Sequence, residues 1–122
     1  MFKIMLKSKI HNGTVTKADV NYEGSIEIDP FIMEKADLLP NEKVLVIDVE
    51  NGERFETYVI KGKKNSKVIG VNGGAARLVQ KGDRLIIMSF AIYSNEEIKD
   101  HKAKIVVLGA KNEIKDEFTK GI

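Results

Sequence analysis

Short apolar stretches alternate with polar turns along the chain, and within most stretches the apolar residues recur at every second position. Residues 2–11 show this period first, and it places Lys9 and His11 on the same face of a half-buried strand. The turn signals between stretches include Asn12-Gly13 and Asn51-Gly52, of which the second is the strongest hairpin signal in the chain. Further strands are predicted at residues 14–20, 25–29, 44–49, 53–60, 67–71, 84–93 and 104–108.

One helix interrupts this β pattern. Asp29 is a good N-cap and Pro30 suits the first helical position, so a helix is predicted from Pro30 until just before Pro40. Residues 95–101 are polar and fit either a short helix or a loop. These short strands with one or two short helices indicate a mainly β fold, either a small barrel or a sandwich. Residues 1–122 fit a single domain, and the charged segment 111–122 is predicted to be a mobile tail.

Composition excludes several classes of protein. The 20 basic and 18 acidic residues give a net charge of +2, which is too balanced to indicate nucleic-acid binding. Because the chain has no cysteine, it has no disulfide framework and no thiolate metal site. Its two histidines exclude a histidine-rich metal site, and no ligand spacing points to a carboxylate site. No stretch is long and apolar enough to suggest a membrane span, and the N-terminus does not resemble a targeting signal. We therefore expect a cytoplasmic protein without a metal.

The pair Gly24-Ser25 can carry chemistry. A serine hydroxyl next to a strained peptide can attack the preceding carbonyl and convert the amide into an ester, and glycine permits the strained backbone. Elimination then gives dehydroalanine, and hydrolysis leaves a pyruvoyl group at the new N-terminus. Taken alone, the pair is more typical of an ordinary turn.

Other candidates are a basic pair, a loop of small residues and two titratable side chains. Lys9 and Arg54 can hold a carboxylate, Arg54 through two parallel hydrogen bonds, although lone basic residues are mostly solvated surface. Residues 72–76 are small enough to let a ligand approach the backbone, but they equally fit a tight connection. Tyr58 is a candidate proton donor and His11 a candidate acid or base, while packing roles are the common alternative for both.

Taken together, these positions resemble the aspartate 1-decarboxylase family. The resemblance covers most of residues 1–91 without a break in register, and Gly24-Ser25 stands at the family's processing position. The segment after Tyr93 is similar only loosely. The matching segments are MLKSKIH (5–11), VTKADVNYEGSIEID (15–29), NGERFETYVI (51–60), VNGGAA (71–76) and KGDRLIIMSFA (81–91).

The resemblance implies a double-psi β-barrel, a homotetramer with active sites between subunits, and a proenzyme that cleaves itself into residues 1–24 and 25–122. It implies a carboxy-lyase that converts L-aspartate into β-alanine and CO2 for pantothenate biosynthesis. The cofactor would be a covalent pyruvoyl group that forms a Schiff base with the substrate, without pyridoxal phosphate or a metal.

The resemblance also assigns roles by position. Ser25 would become the pyruvoyl group and Tyr58 the proton donor. The self-processing residues would be Gly24, Ser25, Thr57 and, with less weight, Tyr22. The substrate pocket would be formed by Lys9, His11, Arg54, Thr57, Asn72, Gly73, Gly74 and Ala75.

Three positions depart from the family pattern: Gly74 where alanine is usual, Asn21 where histidine can occur, and Ile26 where a smaller or polar residue follows the serine. None touches the implied chemistry, but they leave the need for a maturation factor open. Two other interpretations also stay open. One is a non-catalytic small β-barrel that binds a partner, favoured by the lysine-rich loop 61–64. The other is a pyruvoyl decarboxylase for a different amino acid.

Overall fold

A computed structural model describes residues 1–122, and most of them lie in nine strands. The strands are β1 (Phe2–Thr14), β2 (Lys17–Asp19), β3 (Ser25–Ile28), β4 (Lys43–Asp48), β5 (Arg54–Lys61), β6 (Ile69–Asn72), β7 (Arg84–Ser94), β8 (Ala103–Leu108) and β9 (Ile114–Lys120). The helices are short: α1 (Pro30–Lys35), a 3-10 helix (Gly73–Leu78) and α2 (Asn95–Lys99). The prediction of a mainly β fold with short helices is confirmed. No helix has the length and apolar character needed to cross a membrane.

The strands form one strongly bent, barrel-like sheet in the order β2-β6-β3-β5-β4-β7-β1-β8-β9. Its longest pairing is the antiparallel ladder between β1 and β7, which contains two register shifts. Parallel pairings join β1 to β8, β3 to β5 and β2 to β6. Strand β2 follows β1 directly in the chain and pairs with β6. The end of β1 and the β6 end of the sheet therefore lie close together. The Thr16 amide strengthens this closure by donating to the Ile69 carbonyl at 2.8 Å.

The core fills the inside of this sheet. Alternate positions of β4 and of the first part of β7 point inward, as the period of two predicts, and their aliphatic side chains are fully buried. The side chains of α1 complete the cluster from one end of the barrel. Members of the core include Ile10, Ile26, Ile28, Ile32, Val44, Val46, Val59, Ile69, Val71, Leu85 and Ile87.

Helix α1 begins where the sequence predicts and ends earlier. The Asp29 carboxylate accepts a hydrogen bond from the Phe31 amide at 2.9 Å, so the predicted N-cap is confirmed. The same carboxylate accepts from the amides of Asn65 and Lys67, each at 2.8 Å, and thereby anchors the lysine-rich loop. The helix stops at Lys35 because Asp37 adopts a left-handed backbone with φ of 56°, which a continuing helix does not allow.

Two other segments differ from the sequence prediction. Asn12-Gly13 is a bulge within β1 rather than a turn, since Asn12 takes a φ of 65° and the pairing with β7 continues beyond it. At the C-terminus, Ile114–Lys120 forms β9 where a mobile tail is predicted. The free edge of β8 accepts this strand, with Phe118 opposite Ile105, and Ile114 packs against the core.

Candidate active site

Ser25 is the first residue of β3 and its side chain is completely buried. Its hydroxyl donates to the Glu23 carbonyl at 3.0 Å and accepts from the Asn72 side-chain amide at 3.1 Å. Asn72 is also buried and lies directly opposite Ser25 in the antiparallel ladder between β3 and β6. The sheet register therefore brings two of the predicted site residues into contact and fixes the position of the serine oxygen.

The residues on either side of this pair differ in how constrained they are. Tyr22, Glu23 and Gly24 form an exposed approach to β3, and Gly24 does not adopt a left-handed backbone. On the other strand, Gly73 begins the 3-10 helix with φ of 75° and is buried. The strained glycine of the site is thus Gly73, whereas the sequence reasoning expected strain at Gly24.

Thr57 and Tyr58 approach the serine from the neighbouring strand. Strand β3 runs parallel to β5 with Ile26 opposite Val59, so the residues just before this pair, Ser25 and Tyr58, lie level with each other on the two strands. Thr57 is half-buried and is paired with the core residue Val44. Tyr58 has 36% of its surface exposed, so its ring is available at the outer surface.

Lys9, His11 and Arg54 lie on the outer face of the sheet. A continuous row of paired residues runs from Arg54 through Ile47 and Ile86 to His11. Residues paired in this way point to the same face, and three strand spacings separate Arg54 from His11 by about 14 Å along the sheet. Lys9 occupies the next row of this face on β1.

The basic residues of this face leave two charges without an ion pair and lower the pKa of His11. Neither Lys9 nor Arg54 takes part in an ion pair within the chain, and Glu56, two residues after Arg54 on the same face, is paired with Lys43 at 3.1 Å. The pKa of His11 is lowered by burial and then by the positive charges of Lys9 and Arg84. His11 is therefore neutral at neutral pH, and its buried Nδ1 has no hydrogen-bond partner in the subunit.

Comparison with known proteins decides the family. The family model described as aspartate decarboxylase matches residues 1–115. The chain belongs to the aspartate decarboxylase family. A protein named aspartate 1-decarboxylase from Syntrophus aciditrophicus is 58% identical over 115 residues, which cover 94% of this chain and 99% of that protein. Proteins of the same name from Kosmotoga olearia and Neisseria meningitidis are 58% and 53% identical, over 93% and 95% of this chain and 96% and 91% of theirs.

Within this aspartate decarboxylase fold, the predicted site residues divide into two groups. Ser25, Gly24, Asn72 and Gly73 are in direct contact or adjacent in the chain, with Thr57 and Tyr58 on the neighbouring strand and Gly74 and Ala75 just beyond Gly73. Lys9 and His11 lie on β1, from which β5 is separated by β7 and β4. None of Lys9, His11 and Arg54 makes a side-chain hydrogen bond with Ser25, whose hydroxyl contacts only Glu23 and Asn72.

Two features of the aspartate decarboxylase site were missed by sequence reasoning. The Glu23 carbonyl orients the Ser25 hydroxyl, but a backbone acceptor leaves no mark on the residue pattern. The second is an apolar groove of about 400 Å³ on the outer face, lined mainly by Ile4, Leu45, Phe90 and Ile92. The alternation along β1 and β7 contains the signal for it, since both strands carry large apolar residues on the face away from the core.

Proposed function

We propose that this chain cleaves itself between Gly24 and Ser25, and that the product decarboxylates L-aspartate to β-alanine and CO2 for pantothenate biosynthesis. Membership of the aspartate decarboxylase family supports the reaction class. The observation that carries the self-cleavage is the Ser25 hydroxyl, which is buried next to the peptide it would attack and held by Asn72 and Glu23.

The self-cleavage uses groups of this chain alone. Ser25 Oγ attacks the Gly24 carbonyl carbon and the amide C–N bond breaks, so residues 1–24 become esterified to the serine side chain and the Ser25 amine is freed. Loss of the α-proton expels the Gly24 carboxylate and leaves dehydroalanine at position 25. Addition of water and loss of ammonia give the pyruvoyl group. The Asn72 amide stabilises the charge that develops on Oγ as its proton leaves, because a hydrogen bond to the charged form favours that form.

The surroundings of Ser25 fit a pyruvoyl group. The position is closed to solvent, it has an amide donor at hydrogen-bonding distance, and only the small residues Gly73, Gly74 and Ala75 follow Asn72. Asn72 and the small residues after it would hold the pyruvoyl group, whose keto oxygen replaces the Ser25 nitrogen because Oγ leaves with the Gly24 carboxylate. When present, such a carbonyl condenses with a substrate amine and provides the electron sink that decarboxylation requires.

The remaining site residues act on the substrate. Arg54 and Lys9 have no acidic partner within the subunit, so their charges are available for the carboxylates of aspartate. Tyr58 is exposed and lies level with Ser25 on the neighbouring strand, where its hydroxyl can return a proton to the substrate α-carbon. Neutral His11 contributes shape and a hydrogen bond rather than charge.

The division of these residues supports an active site that is shared between subunits of a homotetramer. Lys9 and His11 lie on the outer face of the sheet, several strands from Ser25, so a neighbouring copy is required to bring such residues to the serine. The apolar groove formed by Ile4, Leu45, Phe90 and Ile92 provides a surface that association would bury. Residues 1–24 and 25–122 stay together after cleavage, because β1 remains paired with both β7 and β8.

The experiment is a measurement of the intact mass under denaturing conditions, followed by an assay of decarboxylation with L-aspartate. We expect residues 1–24 and a fragment of residues 25–122 that is lighter by one ammonia than its serine-started form, with release of β-alanine and CO2. A full-length mass that persists after prolonged warming would refute self-cleavage. Cleavage without turnover of aspartate, but with turnover of another amino acid, would instead assign a different substrate.

A further inference from the structure

In the cleavage site, the backbones of Gly24 and Gly73 lie very close to each other. Gly73 lies so near the scissile peptide that a Cβ built on it would stand 2.5 Å from Gly24 Cα and 2.8 Å from Gly24 N. The same atom would be 3.3 Å from the Tyr22 carbonyl oxygen. Because all three neighbours are backbone atoms, no side-chain rotation can relieve the overlap.

The register of the sheet explains why the two glycines meet. Ser25 and Asn72 face each other as a pair in the ladder, so Gly24 and Gly73 are the residues immediately beyond that pair on each strand. The φ of 75° at Gly73 turns the chain into the 3-10 helix and directs the position of its missing side chain at Gly24. The contact is therefore a consequence of the fold and not of local flexibility.

A side chain at residue 73 would displace the Gly24 carbonyl carbon relative to the Ser25 hydroxyl oxygen. Non-bonded carbon atoms pack at roughly 3.5 Å or more, so Gly24 would have to move by about 1 Å. Ser25 cannot follow, because it is fully buried, paired with Asn72 and hydrogen-bonded through Oγ. The Gly24 carbonyl carbon would thus shift with respect to the oxygen that attacks it.

We propose that Gly73 is a positioning residue for self-cleavage, whose missing side chain seats the Gly24 backbone against the Ser25 hydroxyl. This inference rests on the proposed cleavage between Gly24 and Ser25. It concerns the maturation step, because cleavage turns Gly24 into a free chain end. The exposed segment 22–24 can then move away from residue 73 without disturbing Ser25.

The test compares Gly73→Ala with Gly52→Ala. Gly52 has the same φ of 75°, but a Cβ on it would meet no atom within 4 Å, so Gly52→Ala reproduces the backbone strain without the contact. Both variants are expected to fold, since the segment that must yield to the methyl group added at Gly73 is exposed. For each we would measure the rate of appearance of fragment 25–122 by denaturing mass spectrometry and the circular dichroism of the folded protein.

We expect Gly73→Ala to cleave about 100-fold more slowly than the parent chain, the scale of loss that a misplacement of about 1 Å produces. Gly52→Ala should cleave normally, and both variants should keep the parental circular dichroism. Cleavage of Gly73→Ala at the parental rate would overturn the proposal. So would equal slowing by Gly52→Ala, or a Gly73→Ala chain that does not fold. Failure of the parent chain to cleave would refute the proposed function itself.

Discussion

A carboxyl group in the core offers the sharpest test of the energetics of this fold. Asp48 ends β4, is completely buried, and accepts a hydrogen bond from the Glu50 amide at 2.8 Å through Oδ1. Its Oδ2 has no donor, and the side chain lies within hydrogen-bonding reach of the Asp83 carboxyl group. Burial, followed by the hydrogen bond and negative charge of Asp83, raises the pKa of Asp48 to about 6 from 3.8.

The sign of the effect on stability follows from this shift. The folded state prefers the protonated form of Asp48, so folding is penalised once the pH exceeds the pKa of the unfolded chain. The penalty grows between about pH 4 and pH 6 and is complete above about pH 7. A shift of about two pKa units corresponds to a penalty on the order of 3 kcal/mol, a large part of the stability of an ordinary domain.

Asp48→Asn removes the charge but keeps the acceptor for the Glu50 amide and adds a donor for Asp83. We expect the variant to be more stable than the parent by about 3 kcal/mol at pH 8, and the difference to vanish near pH 4. The assay is urea unfolding from pH 4 to pH 8.5 at one fixed protein concentration, because association shifts the apparent stability. A difference that does not change with pH would refute the reasoning.

Glu50 supplies a control, because its effect on stability should change with pH in the opposite direction. The Glu50 carboxylate is hydrogen-bonded to the Arg84 side chain at 2.7 Å, which lowers the pKa of Glu50. The charged form is favoured in the folded state, so its contribution is present at neutral pH and is lost as the pH falls through the lowered pKa. Glu50→Gln should therefore be less stable than the parent at pH 8 and equal to it in acid, the reverse of Asp48→Asn.

Three substitutions in the site have separable outcomes. Ser25→Ala should leave a full-length, inactive chain on a denaturing gel, and any cleavage would exclude attack by the hydroxyl. Arg54→Lys should lower kcat/KM for aspartate by about 10- to 100-fold, because the charge stays while the two-pronged geometry is lost; near-normal kcat/KM would remove Arg54 from binding. Tyr58→Phe should cleave normally yet turn over aspartate about 100-fold or more slowly, and unimpaired turnover would exclude Tyr58 as the required proton donor.

Local patterns predicted the elements that depend on local physics. The period of two located most strands, Asp29-Pro30 marked the start of α1, and Asn51-Gly52 marked the turn between β4 and β5. The pattern failed where tertiary contacts decide. Asn12-Gly13 became a bulge because the partner strand β7 continues past it, and the charged C-terminal segment became β9 because β8 offers it a free edge.

The sequence predicts which residues belong to the site, but it does not predict how they are arranged, because the arrangement depends on strand order. Ser25 and Asn72 are 47 positions apart in the chain and meet through the register of β3 against β6, which no local pattern specifies. The separation of Lys9 from Ser25 depends likewise on β4 and β7 lying between β1 and β5.

The same topology links the chemistry to association. Self-cleavage uses groups of β3, β5 and β6 and of the segment just before β3, so we expect it to proceed wherever the isolated fold is intact. The proposed decarboxylation also needs cationic side chains at the serine, and Lys9 lies on an outer face that points away from the core. Dilution that separates the subunits of the proposed tetramer should therefore abolish turnover while leaving cleavage intact. Turnover that persists in separated subunits would place the Lys9 requirement within a single subunit.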